Sequence, residues 1–252
     1  MLAHEAAGRG IPLLLIHAFP LSSQMWKGQM TRLKQRCRVI APDLPGFGRS
    51  ARQAKPSVAG MAKEVAGLLE GLGIREQVFI GGLSMGGYVA FEFLRQFPER
   101  VRGLGLFSTR AAADSPEGRR GRLKTSEKIG REGLGPFSRA ILPKLLGRST
   151  LEEQPALADQ LVGMIRRNRP EGVADALLAM ARRRDSTDLL PAIRCPTLVV
   201  AGEEDAFIPL SEGRGMKEKI PCCRWALIRK AGHLVNLEQP EAFQQALERF
   251  LE

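Results

Sequence analysis

Cysteine is rare in this sequence, and the spacing of its four cysteines excludes two kinds of structure. Cys37, Cys195, Cys222 and Cys223 do not follow the spacing of metal ligands, and the vicinal pair does not define a disulfide framework in a chain of 252 residues. A catalytic cysteine needs a nearby base and an electropositive pocket, which the pattern does not indicate. We therefore expect reduced, mostly buried thiols.

Long apolar runs are also absent. The longest apolar stretch near the start, Ile11–Ile16, is far shorter than a membrane span, and residues 1–10 contain no hydrophobic signal core. We expect no membrane association and a cytoplasmic location. Hydrophobic residues make up 44% of the chain and charged residues 26%, which predicts a soluble protein that is folded throughout.

Signatures of nucleic-acid binding are missing as well, although the formal net charge is +11. No helix-turn-helix, zinc-finger or RNA-binding motif accompanies the charge, and the basic residues are spread over the whole chain. Such a charge suits an anionic partner, but solubility explains it without one. We predict no nucleic-acid partner, and nothing in the sequence specifies an oligomeric state.

Short apolar runs alternate with helical patterns in the two ends of the chain, which predicts a mostly parallel sheet flanked by helices. The predicted strands are residues 13–16, 38–41, 77–80, 103–107, 197–200 and 225–228. Residues 110–190 show helical patterns only, so we expect core parts 1–109 and 191–252 and a helical cap inserted before the last strands. Such a cap can lie over the carboxyl edge of the sheet, where α/β folds bind ligands. The alternative is that these helices extend the core elsewhere.

The most specific motif is the pentapeptide Gly82-Leu83-Ser84-Met85-Gly86, between an apolar strand and a helical pattern. A serine at such a strand-to-helix turn is forced into an unfavourable backbone conformation that exposes its hydroxyl, and small neighbours allow the tight turn. The pattern predicts a nucleophile elbow with Ser84 as the nucleophile.

A serine nucleophile needs a histidine base, and only His4, His17 and His233 are present. His4 lies in an unpatterned segment, and His17 precedes a loop whose backbone it is expected to hydrogen-bond. His233 lies between the last predicted strand and the closing helix, at the edge of the sheet that carries Ser84. We predict that His233 is the base.

The acid of a triad holds the histidine in the correct tautomer. Residues 200–205 leave a strand through a glycine turn with three carboxylates, of which Asp205 is our choice, while Glu203 and Glu204 remain possible. The resulting chain order, Ser84, Asp205 and His233, is that of one hydrolase class.

A developing oxyanion needs backbone donors, which usually come from the residue after the nucleophile and from the loop after the first strand. Here these would be the N–H groups of Met85 and Phe19. Phe107 and Leu234 lie on loops that could line the acyl pocket, although a core role for Phe107 is equally compatible with its position.

The Ser84 elbow, Asp205, His233, loop 17–20 and segment 42–50 together resemble the α/β-hydrolase superfamily. Within it, the chain is similar to small bacterial esterases and lactonases, including 3-oxoadipate enol-lactonases, non-haem perhydrolases and pimeloyl carrier-protein methyl ester esterases. The resemblance implies a mostly parallel sheet, a serine mechanism without metal or cofactor, and a cap that varies with substrate. These enzymes usually have glycine where this chain has Ala18, which predicts ordinary backbone angles there.

Hydrolysis of a small carboxylic ester or lactone through an acyl-enzyme on Ser84 is the leading expectation. The excess of basic residues in 110–190 would suit a carboxylate-bearing substrate or an acidic carrier protein, but Arg182, Arg183 and Arg184 end a predicted helix where solvent and the helix dipole explain them. Two alternatives keep the same serine: a sensor that binds a small ligand and signals to a partner, and a perhydrolase that transfers the acyl group to peroxide.

Overall fold

Seven strands form one sheet in the computed structural model, which describes all 252 residues. The strands are β1 (His4–Ala7), β2 (Ile11–Ile16), β3 (Cys37–Pro42), β4 (Val78–Leu83), β5 (Val101–Phe107), β6 (Thr197–Gly202) and β7 (Cys223–Ile228). Their order across the sheet is β1-β3-β2-β4-β5-β6-β7. All neighbours pair in parallel except β1 and β3, so the predicted mostly parallel sheet is confirmed.

Helices connect the strands. They are α1 (Lys27–Leu33), α2 (Val58–Gly71), α3 (Met85–Gln96), α4 (Pro116–Glu132), α5 (Leu134–Ala140), α6 (Leu142–Leu145), α7 (Arg148–Glu153), α8 (Pro155–Arg166), α9 (Pro170–Ala181), α10 (Leu210–Lys219), α11 (Val235–Glu238) and α12 (Pro240–Leu251). None of them combines the length and the apolar character that crossing a bilayer requires.

The six predicted strands are all present, whereas β1 was not predicted. The central strands β4 and β6 are buried along their whole length, as expected when helices cover both faces of a parallel sheet. Strand β1 is half-exposed at the edge of the sheet, and its sequence His-Glu-Ala-Ala has no apolar alternation. Strand β1 is defined by its backbone hydrogen bonds to β3, which cannot be predicted from a pattern of side chains.

Helix α2 shows how local sequence sets the ends of an element. The Ser57 hydroxyl accepts a hydrogen bond from the Gly60 N–H and caps the first turn. Gly73 follows the last turn with a φ of 69°, the left-handed conformation that glycine commonly adopts at the end of a helix. Buried Met61, Val65 and other apolar residues face the sheet between these ends.

Six helices, α4 to α9, lie between β5 and β6 and form what we call the helical insertion. The helical patterns predicted for this segment are confirmed, and apolar residues are buried on α8 and α9. The helical spacing of Phe137, Ile141 and Leu145 extends over two short helices, α5 and α6, with Ile141 between them. Helix α4 is the longest in the insertion. It buries only Ser126 and Ile129, so no apolar stripe marks it.

Only one of the four cysteines is buried, which corrects the expectation of mostly buried thiols. Cys37 is in the core, Cys195 and Cys223 are half-buried, and Cys222 is exposed; all four are free thiols. The β7 end of the sheet, where the vicinal pair lies, is less covered than its centre.

Candidate active site

Ser84 sits at the turn between β4 and α3 with a φ of 55° and a ψ of −111°. Its N–H donates to the Phe107 carbonyl at 2.9 Å, which fixes the turn to the neighbouring strand β5. A Cβ at Gly82 would collide with the backbone of Gly86, and one at Gly86 would collide with the Ile16 carbonyl. These two glycines therefore allow the strained turn, as the pentapeptide predicts.

His233 and Asp205 form a buried hydrogen-bonded pair. His233 Nδ1 lies 2.9 Å from Asp205 Oδ2 and 3.1 Å from Oδ1, and their side chains are only 3% and 1% exposed. Asp205 Oδ1 also accepts the N–H groups of Phe207 and Ile208 at 2.8 and 3.0 Å. Because the loop itself holds the carboxylate, Asp205 can orient the imidazole with its other oxygen.

The two alternative carboxylates are directed elsewhere. Glu203 accepts the N–H of Lys230, and Glu204 accepts both the N–H and the hydroxyl of Ser149 at the start of α7. Neither contacts His233. Of the three acids that the sequence left open, Asp205 is the one that is hydrogen-bonded to His233.

Glu238 holds the loop that carries His233. Its carboxylate accepts the N–H groups of Gly232 and Leu234, one on each side of the histidine, at 2.9 Å each. The Gly147 N–H of the insertion donates to it as well, at 2.8 Å. Burial raises the pKa of Glu238, and the donated hydrogen bonds oppose that shift. No pattern in the sequence indicates this role, because Glu238 is one acid among many beside a helix.

Of the two candidate oxyanion donors, Phe19 lines the same cavity as Ser84, and Met85 follows Ser84 in the chain. Phe19 N–H donates to no acceptor within the protein, and Met85 is the first residue of α3, whose N–H has no partner inside the helix. Ala18 is not among the residues with positive φ, so its backbone is ordinary, as predicted for an alanine at that position.

His17 fixes the loop that carries Phe19 through two hydrogen bonds to the backbone. Its Nε2 accepts the Leu44 N–H at 3.0 Å, so its Nδ1 carries the proton and donates to the Ala18 carbonyl at 2.9 Å. Burial lowers the pKa of His17 below its usual value, which keeps the ring neutral. The predicted structural role is confirmed.

Ser84 and His233 line the same cavity of about 510 Å³, whose outer wall comes from the helical insertion. Their side chains are not hydrogen-bonded to each other. Insertion residues on the wall include Ile129, Phe137 and Leu177. The cavity thus combines a mainly apolar surface with a few polar groups, as small-molecule sites do.

Two predicted pocket residues do not line this cavity, which corrects the prediction. Phe107 is fully buried on the other side of β5, where its ring packs against Trp26 and Phe243 at centroid distances of 6.3 and 5.0 Å. Leu234 is fully buried beside Glu238. Successive side chains of a strand point to opposite faces of the sheet, so a shift of one residue at the end of β5 decides whether a side chain such as Phe107 faces the cavity or the core.

An ionic cluster on the cavity wall was not predicted. Asp114, with a side chain 1% exposed, pairs with Arg110, Arg122 and Arg183. Burial alone would raise the pKa of Asp114, but Arg122 and Arg183 hold it well below its usual range. Arg183 is buried against the Tyr88 ring, so its assignment to solvent was wrong. The four-residue spacing of Arg110 and Asp114 was the one available signal.

A strained serine after the central strand, and a carboxylate-bound histidine on the same cavity, are the features of the α/β-hydrolase class. A family model described as an alpha/beta hydrolase fold matches residues 11–240, and the chain belongs to this family.

The chain is similar to several esterases and lactonases. It is 45% identical to a thermophilic esterase from Thermogutta terrifontis, solved with malate bound, with a TM-score of 0.96 over 99% of this chain and 92% of that one. The enol-lactonase from Burkholderia xenovorans is 25% identical, with a TM-score of 0.89 over 99% and 96%. A pimeloyl-[acyl-carrier protein] methyl ester esterase from Nitrosomonas europaea is 29% identical over 95% of each chain.

Proposed function

We propose that this protein hydrolyses a small carboxylic ester or lactone through an acyl-enzyme on Ser84. The observation that carries the proposal is the meeting of the strained Ser84 and the Asp205-bound His233 on one cavity. The names of the esterase and lactonase relatives support the same reaction class.

In the first half of the reaction, Ser84 Oγ attacks the carbonyl carbon while His233 Nε2 takes its proton. Asp205 stabilises the imidazolium through Nδ1. The tetrahedral intermediate collapses when the bond to the alcohol oxygen breaks, and the imidazolium returns the proton to that oxygen. The alcohol leaves, and the acyl group remains on Ser84.

In the second half, water attacks the acyl-enzyme while His233 takes one of its protons. The new tetrahedral intermediate releases the carboxylic acid, and the proton returns to Ser84 Oγ. The N–H groups of Phe19 and Met85 would stabilise the oxyanion of both intermediates, each lowering the barrier by about 3 kcal/mol.

We propose that residues 110–190 act as a lid over core parts 1–109 and 191–252. The insertion supplies most of the cavity wall, while the core supplies Ser84 and His233. A cavity of about 510 Å³ fits a small substrate. The lid would then select the substrate, and the core would carry out the reaction.

The deciding experiment compares wild type with Ser84→Ala on a panel of p-nitrophenyl esters and lactones of increasing acyl length. Ser211→Ala, at an exposed serine on α10, is the matched control. We expect many turnovers with wild type and the control and none with Ser84→Ala. A single turnover would support a small-ligand sensor instead, and faster acyl transfer when hydrogen peroxide is added would support a perhydrolase.

A carrier-bound ester is a second candidate substrate. The exposed residues of α4 include the cations Arg119, Arg120, Lys124 and Arg131 and the acids Glu117 and Glu127. The excess of positive charge would attract an acidic carrier protein. Two relatives are named for such a substrate. Hydrolysis of a carrier-bound ester should then fall with added salt more steeply than hydrolysis of the free methyl ester.

A further inference from the structure

The ionic cluster at Asp114 contains more positive than negative charge. Three guanidinium groups surround this one buried carboxylate, those of Arg110, Arg122 and Arg183. Buried charges are normally matched by partners, because an unmatched one is costly. The excess of positive charge in the Asp114 cluster therefore favours the binding of an anion that the protein itself does not supply.

Two of the three arginines have both terminal nitrogens engaged within the protein. Arg122 contacts both oxygens of Asp114, and its third nitrogen lies 3.4 Å from the Met180 sulfur. Arg183 donates to the carbonyls of Met180 and Ala112, and its side chain is 3% exposed. These two hold Asp114 in place and have no terminal donor left for a ligand.

Arg110 differs from them. Its Nη2 pairs with Asp114 at 2.7 Å, whereas its Nη1 has no partner in the protein. The Nε atoms of Arg110 and Arg183 are both buried without a partner, so the free Nη1 is what distinguishes Arg110. Arg110 lines the cavity beside Tyr88, the only tyrosine of the chain, whose hydroxyl also makes no hydrogen bond within the protein. A guanidinium edge and a phenol are thus the unused donors at this part of the wall.

These donors lie close to the nucleophile. Tyr88 lies in the first turn of α3, its N–H donates to the Ser84 carbonyl at 3.3 Å, and both residues line the cavity. Thr109, which precedes Arg110, donates its hydroxyl to the same carbonyl at 2.8 Å.

The other charged residues that line the cavity also give an excess of positive charge. Four cations face the cavity, Arg110, Arg122, Lys128 and Lys144, against the two carboxylates Asp114 and Glu132. The charge of Glu212 also acts on Arg110, but the two form no ion pair. Positive charge therefore exceeds negative charge inside the cavity.

We propose that Arg110 and Tyr88 form a carboxylate-binding subsite, so that the ester cleaved at Ser84 carries a free carboxylate a few bonds from the scissile carbonyl. The inference rests on the proposed function for the identity of the reacting bond. The carboxylate belongs either to the acid part, as in a monoester of a short dicarboxylic acid, or to the alcohol part, as in an ester of a hydroxy acid.

Binding tests the subsite without relying on turnover. Succinate is titrated calorimetrically into Ser84→Ala and into the same variant with Arg110→Gln, Arg110→Lys or Arg214→Gln added. Loss of a hydrogen bond to a charged group predicts about 10-fold weaker binding or more for Arg110→Gln. Arg110→Lys keeps the charge without the planar fork and should fall in between. The exposed Arg214 on α10 is the control and should not matter.

Kinetics then identifies the side of the ester. Monoethyl succinate is compared with ethyl butyrate, and acetoxyacetate with ethyl acetate; in each pair a methyl group replaces the carboxylate. In one of the two pairs, Arg110→Gln should lower the ratio of kcat/KM for the anionic ester to kcat/KM for the neutral ester by about 10-fold. That pair shows whether the carboxylate belongs to the acid part or to the alcohol part.

The outcomes separate the two proposals. Succinate that does not bind, or that binds equally with and without Arg110, overturns the subsite, and so do ratios that stay within about twofold of wild type. Arg110-dependent binding with no Ser84-dependent hydrolysis of any ester supports the subsite and refutes the hydrolase.

Discussion

Glu238 accepts a hydrogen bond from the Gly147 N–H at 2.8 Å and so joins the histidine loop to the helical insertion. The same carboxylate accepts the N–H groups on both sides of His233 and the hydroxyl of Thr150 at 2.8 Å. The position of the proposed base therefore depends on a side chain outside the triad.

Glu238→Gln should lower both stability and activity. The amide nitrogen of glutamine cannot accept a hydrogen bond, so buried N–H donors around it lose their partner at a cost of about 1–3 kcal/mol in the free energy of unfolding. Urea unfolding and kcat/KM with a p-nitrophenyl ester measure the two effects. Glu241→Gln is the control, because Glu241 is exposed and pairs only with Arg32 at the surface. Wild-type values for both variants would contradict this account.

Asp205→Asn should abolish most activity without unfolding the loop. Oδ1 alone accepts the Phe207 and Ile208 N–H groups, and an asparagine oxygen can keep them, while its amide faces His233 in place of Oδ2. The imidazole is then held in the wrong tautomer, and kcat should fall by about 10⁴-fold. Glu203→Gln, on the same turn, is expected to retain activity. A similar loss in both variants would show that the loop matters and not the acid.

The strain at Ser84 predicts that removing it stabilises the protein. Glycine adopts a φ of 55° without penalty, whereas alanine keeps the strain of serine. Ser84→Gly should therefore be about 1–3 kcal/mol more stable than Ser84→Ala, although both lose the nucleophile. Chemical denaturation of the pair isolates the backbone term, and equal stabilities would mean that the turn is relaxed.

His17 should make stability depend on pH. Burial lowers the pKa of His17 in the folded state below its usual value of 6.5. As the pH falls below 6.5, the unfolded chain therefore takes up a proton at His17 more readily than the folded chain does. By linkage, the stabilisation is complete above that value and declines as the pH falls, by at most about 1.4 kcal/mol per pH unit. Protonated Nε2 can no longer accept the Leu44 N–H. Urea unfolding of wild type and His17→Gln from about pH 7.5 to about pH 5.5 measures the difference in slope. Parallel profiles would remove His17 from this role.

The sequence was sufficient for features that depend on short patterns. Apolar runs predict the buried strands, and the glycines around Ser84 predict the elbow, because both features are encoded within a few consecutive residues. The pairing of His233 with Asp205 followed from placing two loops at one edge of a parallel sheet.

Features that depend on long-range contacts were not predictable in this way. Arg183 carries the same local signal as any cation at a helix end, and only the fold brings it to Asp114, far away in the sequence. Phe107 was misplaced because the pattern of a strand gives its alternation but not which face turns toward a cavity. Helix α4 lacks an apolar stripe because it packs mainly on α9 of the same insertion and not on the sheet.

Glu204 and Glu238 join the start of helix α7 to the loops of Asp205 and His233, the proposed acid and base. Asn168, just after α8, donates to the Pro20 carbonyl at 2.8 Å, in the loop of the proposed oxyanion donor Phe19. Helix α4 has no such ties and rests on α9. Evolution, or a protein engineer, can therefore rewrite α4 to admit a different substrate while the anchored parts keep the reaction machinery aligned, which makes this helix the natural starting point for directed changes of selectivity.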